Sequence, residues 1–123
     1  MSEAIGAQFV KALTAKDHDA MHAVLAPDVD FRALTPNKFW EAATSGALID
    51  EVFEVWFGPE DHVEAIESME HETVVDRERV GYRIRVMRDN TPHLVDQQAY
   101  FHVTDGQIDW LRIMCAGYQS VSA

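Results

Sequence analysis

His18 and His22 stand four residues apart, flanked by Asp17 and Asp19, in a segment with helical character. That spacing sets both imidazoles on one helix face, where they can hold a metal ion. The segment HDAMH lacks the Glu after the first His that metalloproteases use, and no third ligand follows nearby, so the expectation is two solvent-facing histidines and no metal. Cys115 is the one thiol. No basic residue shares its expected sheet face to make it a thiolate, so it reads as a small apolar residue. Tyr82 and Gln97 are the polar side chains best placed to donate to a ligand's carbonyl or hydroxyl; the competing reading is that Tyr82 simply packs in the core. Asp50, Glu51 and Glu54 form a polar strip among apolar residues, which is the pattern of a solvated helix face. Glu51, and Asp109 on a late strand, are the acids that a catalytic reading would use. The chain has no G-x-G-x-x-G, no G-x-x-x-x-G-K-[ST] and no C-x-x-C, so dinucleotide, nucleotide and zinc-ribbon functions have no support.

The elements that position these groups follow from periodicity. Ile5, Phe9, Val10 and Leu13 make one helical stripe over residues 2–15, with Ser2 and Glu3 near its start. Asp17 caps a second helix ending near Leu25. Val29 to Leu34 alternates as a short strand that sends Asp30 and Arg32 outward. Residues 37–57 read as helix, interrupted near Ser45-Gly46, with Trp40 and Trp56 on it as packing residues. His62 to Val75 is a long strand of mixed polarity, turned by Asp76-Arg77.

The last third, 77–118, is dense in Val, Ile, Tyr, Phe and Trp and reads as a three-stranded meander. A turn at Asn90-Thr91 sets Arg85 opposite Asp96 and Gly81 opposite Tyr100. A three-residue loop, Thr104-Asp105-Gly106, sets Tyr100 opposite Trp110. The helix-covered face then carries Tyr82, Ile84, Val86, Gln97, Ala99, Phe101, Leu111, Ile113 and Cys115. The outer face carries Arg83, Arg85, Asp96, Gln98, Tyr100, His102, Ile108, Trp110, Arg112 and Met114. An outer face this aromatic is explained by sheet-on-sheet pairing in a homodimer, through Tyr100, Trp110, Arg112 and Met114.

The chain has 123 residues, 47% apolar and 25% charged, the bounds of a single soluble domain spanning 1–123. Ten Lys and Arg against 21 Asp and Glu give a net charge of −11, which disfavours nucleic acid and anionic membrane surfaces as partners. No apolar run is long enough to cross a bilayer and no signal peptide is evident, so a cytoplasmic protein is expected. The lone cysteine agrees with a reducing compartment.

The order of elements, with FVKALTAKDHDAMHAVLAPDVDF early and AYFHVTDGQIDWLRIMCAGY late, resembles the nuclear transport factor 2-like superfamily, which includes SnoaL-type polyketide cyclases and ketosteroid isomerases. The resemblance implies an α+β, cystatin-like fold: a curved antiparallel sheet wrapped by three N-terminal helices into a cone, usually dimeric, with a pocket open at one end. The positions where ketosteroid isomerases carry a Tyr, an Asp base and a protonated Asp fall on Phe9, Ala33 and Ala99, so that reaction is not expected. Three functions are consistent with the residues. One is a pocket protein for a mostly apolar ligand, without a cofactor, lined by Phe9, Trp56, Tyr82, Gln97, Phe101 and Cys115. Another is a cyclase, isomerase or hydrolase acting on a polyketide- or steroid-like substrate. The third is a dimeric association module with a filled cone.

Overall fold

The computed structural model describes residues 4–121; Ser2 and Glu3 lie outside them. In chain order the elements are α1 (Ile5–Ala15), α2 (His18–Val24), β1 (Leu25–Thr35) and β2 (Lys38–Ala42). There follow α3 (Ser45–Ala47), a π-helical run (Leu48–Phe53), α4 (Glu54–Trp56), β3 (Asp61–Val74), β4 (Arg77–Arg88), β5 (Thr91–Thr104) and β6 (Gln107–Ser120). The fold is α+β: helices cover one face of a curved six-stranded sheet of order β2-β1-β6-β5-β4-β3. Four of its five pairings are antiparallel, and β1 runs parallel to β6, which corrects the expectation of a purely antiparallel sheet. The crossover that a parallel pair needs is the whole chain between β1 and β6.

α1 ends where Lys16 takes a left-handed conformation, and the backbone N–H of Asp17 closes on the Ala12 carbonyl. The Asp17 carboxylate then accepts from the Ala20 N–H, capping α2. Residues 38–42 form a strand, not helix as their sequence suggested. Pro36 and a left-handed Asn37 make the turn between β1 and β2, and the sequence KFWEA pairs along β1, with Trp40 opposite Ala33. Helix begins only at Ser45, where the Thr44 hydroxyl accepts from the Ala47 N–H.

Along β3 the inward residues Val63, Ile66 and Met69 recur every third position, a helical spacing. Two register shifts, between Val63 and Ala65 and between Ile66 and Ser68, convert that spacing into a strand. β3 is a sheet edge, and its exposed Glu64, Glu67, Glu70 and Glu72 guard it against further pairing. Its turn falls at Val75-Asp76, one residue earlier than expected.

The meander has the expected faces but different partners. The β4–β5 turn is Asp89-Asn90, both left-handed, because β-branched Thr91 resists that conformation. The register moves by two: Arg83, not Arg85, pairs with Asp96, and Gly81 lies opposite Gln98, not Tyr100. An even shift leaves every side chain on its own face. The β5–β6 turn is the two-residue Asp105-Gly106, and a bulge at Asp109 then restores the phase that a three-residue loop would have set. Leu111 and Ile113 therefore point inward. Ile108, before the bulge, is fully buried on the inner side and not on the outer face. Tyr100 lies opposite Arg112, and Trp110 opposite His102.

The core lies between helices and sheet. Phe9, Val10 and Leu13 of α1, Phe31 of β1, Leu48 and Ile49 of the π-helical run, and Val80, Ile84, Ala99 and Leu111 of the sheet are all buried.

Candidate functional site

A second bulge shapes the cone mouth. Cys115 lies opposite Gln97, but Tyr118 lies opposite Val95, so Ala116 and Gly117 face Asp96 alone. Gly117 has a φ of 84°, and a Cβ there would come within 2.9 Å of Pro36 Cγ. Glycine is required on both counts. Without the extra residue Tyr118 would point to the outer face; with it, Cys115 and Tyr118 both turn into the cone.

Between these side chains and the helices lies a cavity of about 200 Å³. β1 and β2 contribute Thr35 and Trp40, and the end of α4 contributes Val55, Trp56 and Phe57. The sheet contributes Arg88, Val95, Gln97, Cys115, Gly117 and Tyr118. Below it the cone is filled. Phe53 packs against Phe9 and Phe31 at 5.9 Å each and against Trp56 at 5.6 Å. Trp40 meets Trp56 edge-on at 5.9 Å, forming a rigid aromatic wall.

The rim is held by an ion pair between a buried carboxylate and a part-exposed guanidinium. The Asp61 carboxylate accepts from Arg88 Nε at 2.7 Å, Arg88 Nη2 at 2.9 Å and the Gly58 N–H at 2.9 Å. The hydrogen bond from Arg88 holds the Asp61 carboxyl below its ordinary value, against the opposing effect of burial. Lys16 Nζ donates to the Gly58 and Asp61 carbonyls, tying the end of α1 to the same loop. The Arg88 guanidinium lies 3.5 Å over the Tyr118 ring. Tyr118 donates to the Trp56 carbonyl at 2.6 Å, and burial raises its hydroxyl well above the usual tyrosine range, with Arg88 opposing. The phenol is therefore neutral at physiological pH.

Of the side chains expected to line a pocket, Trp56, Gln97 and Cys115 line this cavity. Tyr82 is a layer deeper: its buried hydroxyl donates to Gln97 Oε1, and burial pushes its pKa up. It orients Gln97, whose Nε2 donates to Cys115 Sγ at 3.3 Å. Phe9 is in the closed core, and Phe101 packs beside Gly6 at the other end of the sheet. Thr35, Trp40, Arg88 and Tyr118 were not anticipated. Trp40 was assigned to a helix, and the inward turn of Tyr118 depends on the Gly117 bulge, whose one sequence signal is the glycine itself.

The acids of the catalytic reading lie elsewhere. Asp109 sits at the β6 bulge, accepting from Thr104 Oγ1 at 2.7 Å and held 2.9 Å from His102 Nδ1. Burial pushes its carboxyl up, but these hydrogen bonds outweigh that and leave it below the ordinary value. Glu51 is exposed on the π-helical run. No carboxylate is among the residues around the cavity. Phe9, Ala33 and Ala99 are all buried. His18 is engaged by Glu54 and His22 lies 3.3 Å from Ser45 Oγ, so both fasten α2 to the third helical stretch. Among the described residues no group of three or more His, Cys, Asp or Glu is arranged to hold a metal ion.

A second concavity, about 520 Å³, opens on the outer sheet face between Arg32, Leu34, Phe39, Tyr100, Arg112 and Met114. Leu34, Phe39 and Met114 are 47%, 53% and 56% exposed. Trp110 is more sheltered, with the Arg77 and Arg112 guanidinium groups over its ring at 4.6 and 4.5 Å. The apolar centre of this face is therefore displaced from Trp110 toward β1 and β2.

No family model and no curated protein matches the sequence. Solved structures do match the fold. An LEH-like epoxide hydrolase from M. tuberculosis superposes with a TM-score of 0.67 at 15% identity, over 90% of this chain and 79% of the other. A nuclear transport factor 2-like protein from Burkholderia xenovorans LB400 gives 0.64 at 16% identity, over 90% and 86%. A chain from the de novo design of proteins with diverse pocket structures gives 0.67 at 22% identity, over 90% and 95%. With its curved sheet, helical cover and cavity at the cone mouth, the chain has the nuclear transport factor 2-like fold.

Proposed function

We propose that this protein binds a small, mostly apolar molecule in the cone-mouth cavity. The observation that carries the reading is a cavity of about 200 Å³ bounded by an aromatic wall and a rim pinned by Asp61 and Arg88, above the packed rings of Phe9, Phe31 and Phe53. Pockets for drug-sized ligands occupy roughly 300–1,000 Å³, so the ligand is smaller than a steroid or a multi-ring polyketide. Binding without turnover fits a lining that lacks a free acid or base, although the epoxide hydrolase shares the fold. A homodimer formed through the outer sheet face accompanies this reading, supported by the exposed Leu34, Phe39 and Met114. A cytoplasmic location agrees with the lone Cys115.

The test is a titration of single-ring compounds followed by thermal unfolding, with Cys115→Phe as the plugged control. A ligand at 100 times its Kd adds about 2.7 kcal/mol, raising the midpoint by on the order of 10 °C. The variant is expected to show no rise. Equal stabilisation of both proteins, or no response to any compound, overturns the reading.

A further inference from the structure

At the end of the sheet away from the cone mouth, Asp109 is the extra residue of the β6 bulge. Its carboxylate accepts from the Thr104 hydroxyl at 2.7 Å and lies 2.9 Å from His102 Nδ1. Burial raises the Asp109 carboxyl but the hydrogen bonds outweigh it, so the group is ionised at neutral pH. An ionised carboxylate only accepts, so Nδ1 carries the proton and Nε2 keeps its lone pair. The His102 side chain is 41% exposed, and with its Nδ1 edge turned to Asp109 the Nε2 edge is the accessible one. Among the described residues nothing hydrogen-bonds Nε2. A carboxylate that fixes a histidine in this way makes it a ready base.

The ring lines a concavity of about 540 Å³, within the range of small-molecule sites. Pairing of β4 with β5 stops at Glu78 and Phe101, while β5 runs on to Thr104. The gap left there is walled by the first turn of α1, with Ile5, Phe101 and Val103 as its apolar lining. Arg79 on the wall is engaged by Glu72 and Gln98, and Asp76 and Glu78 add negative charge, so an anionic substrate has no free partner. The Thr104 hydroxyl is spent on Asp109, and among the described residues no serine or cysteine lines the concavity. The available nucleophile is therefore water. One base acting on water suits an ester, whose alcohol leaves more readily than the amine of an amide.

We propose that His102 is the general base of a second site, which hydrolyses a small uncharged carboxylic ester, with Asp109 as its positioning residue. His102 Nε2 takes a proton from water as the water oxygen bonds to the ester carbonyl carbon. The bond to the alcohol oxygen then breaks, and that oxygen takes the proton back from Nε2, giving acid and alcohol and restoring the imidazole. Asp109 holds the Nδ1–H throughout and stabilises the transient imidazolium.

Phenyl acetate is the probe, with release of phenol as the readout. Exposed imidazoles hydrolyse such esters slowly, and the chain has six histidines, so the variants carry the comparison. His102→Gln is expected to lower kcat/KM about 100-fold, the low end of what a positioned base contributes. His62→Gln, an exposed histidine at the other end of the sheet, is expected to leave it within about twofold, the background of one free imidazole. Asp109→Asn is expected to lower kcat about tenfold or more with KM unchanged, and to turn His102 toward the Nε2–H tautomer in its ¹⁵N spectrum. The wild-type reaction is expected to slow in D₂O, as proton removal from water requires. A His102→Gln variant as active as the wild type overturns the site, and an unchanged rate in D₂O overturns the water step. The wild-type ¹⁵N spectrum needs no variant to fold: an Nε2–H tautomer at His102 overturns the assignment of the base. Binding in the cone-mouth cavity is unaffected by any of these outcomes.

Discussion

At the scale of single residues, the site depends on groups that hold each other in place. Asp61 is the clearest case: a carboxylate at 4% exposure with three hydrogen bonds from Arg88 and the Gly58 backbone. Asp61→Asn keeps the shape but loses the charge-assisted pairing with the part-exposed Arg88 guanidinium, and is expected to destabilise the fold by about 1 kcal/mol at pH 7, the contact being screened on its Arg88 side. The folded-state pKa of Asp61 is depressed, so the native protein binds fewer protons here than the unfolded chain. The stabilisation is then fully present above the unfolded value near ~3.9 and is lost as pH falls through the lower folded value. Urea unfolding of both proteins at pH 7 and below pH 4 checks this: the gap between them narrows in acid. A gap that is constant with pH would show that Asp61 acts through packing alone. Tyr82 and Gln97 were legible from the sequence as neighbouring polar groups on the inner face. That they would satisfy each other was not, because it depends on the β4–β5 register, where one slip of two residues makes them direct partners.

At the scale of elements, alternation along the strands identified which face each side chain takes, and turn chemistry decided their partners. The inner set from Tyr82 to Ile113 was legible because polarity alternates cleanly there, and an even register slip cannot disturb it. Bulges were harder to read. The Asp109 bulge moved Ile108 inward, and the Gly117 bulge brought Tyr118 to the cavity. Gly117→Ala places a Cβ at a positive φ and against Pro36. It is expected to cost about 1–2 kcal/mol from backbone conformation alone, visible as a lower denaturant midpoint at unchanged slope. It is also expected to weaken ligand binding, because Tyr118 loses its orientation. An alanine variant as stable as the wild type would contradict the role given to this bulge. β2 was misread for a different reason: a five-residue strand carrying Phe39 and Trp40 has no period long enough to separate it from helix.

At the scale of the whole molecule, the sheet presents two different faces. Its inner face closes a core and leaves a small cavity at one end, while its outer face presents a wider apolar concavity around Leu34, Phe39 and Met114. We assign the first to a ligand and the second to another copy of the chain. Met114→Glu is expected to give a monomer by light scattering, while Trp110→Glu has the smaller effect, because Arg77 and Arg112 already cover that ring. A dimer that survives Met114→Glu would place the interface elsewhere. The assignment of the cavity to a ligand is tested most directly by mapping chemical-shift changes across the protein as a single-ring compound that raises the unfolding midpoint is titrated in. The account predicts changes centred on Trp56, Val95, Gln97, Cys115 and Tyr118, with Leu34, Phe39 and Met114 unmoved. Changes centred on Leu34, Phe39 and Met114 instead would contradict it, and would make the outer concavity the binding site.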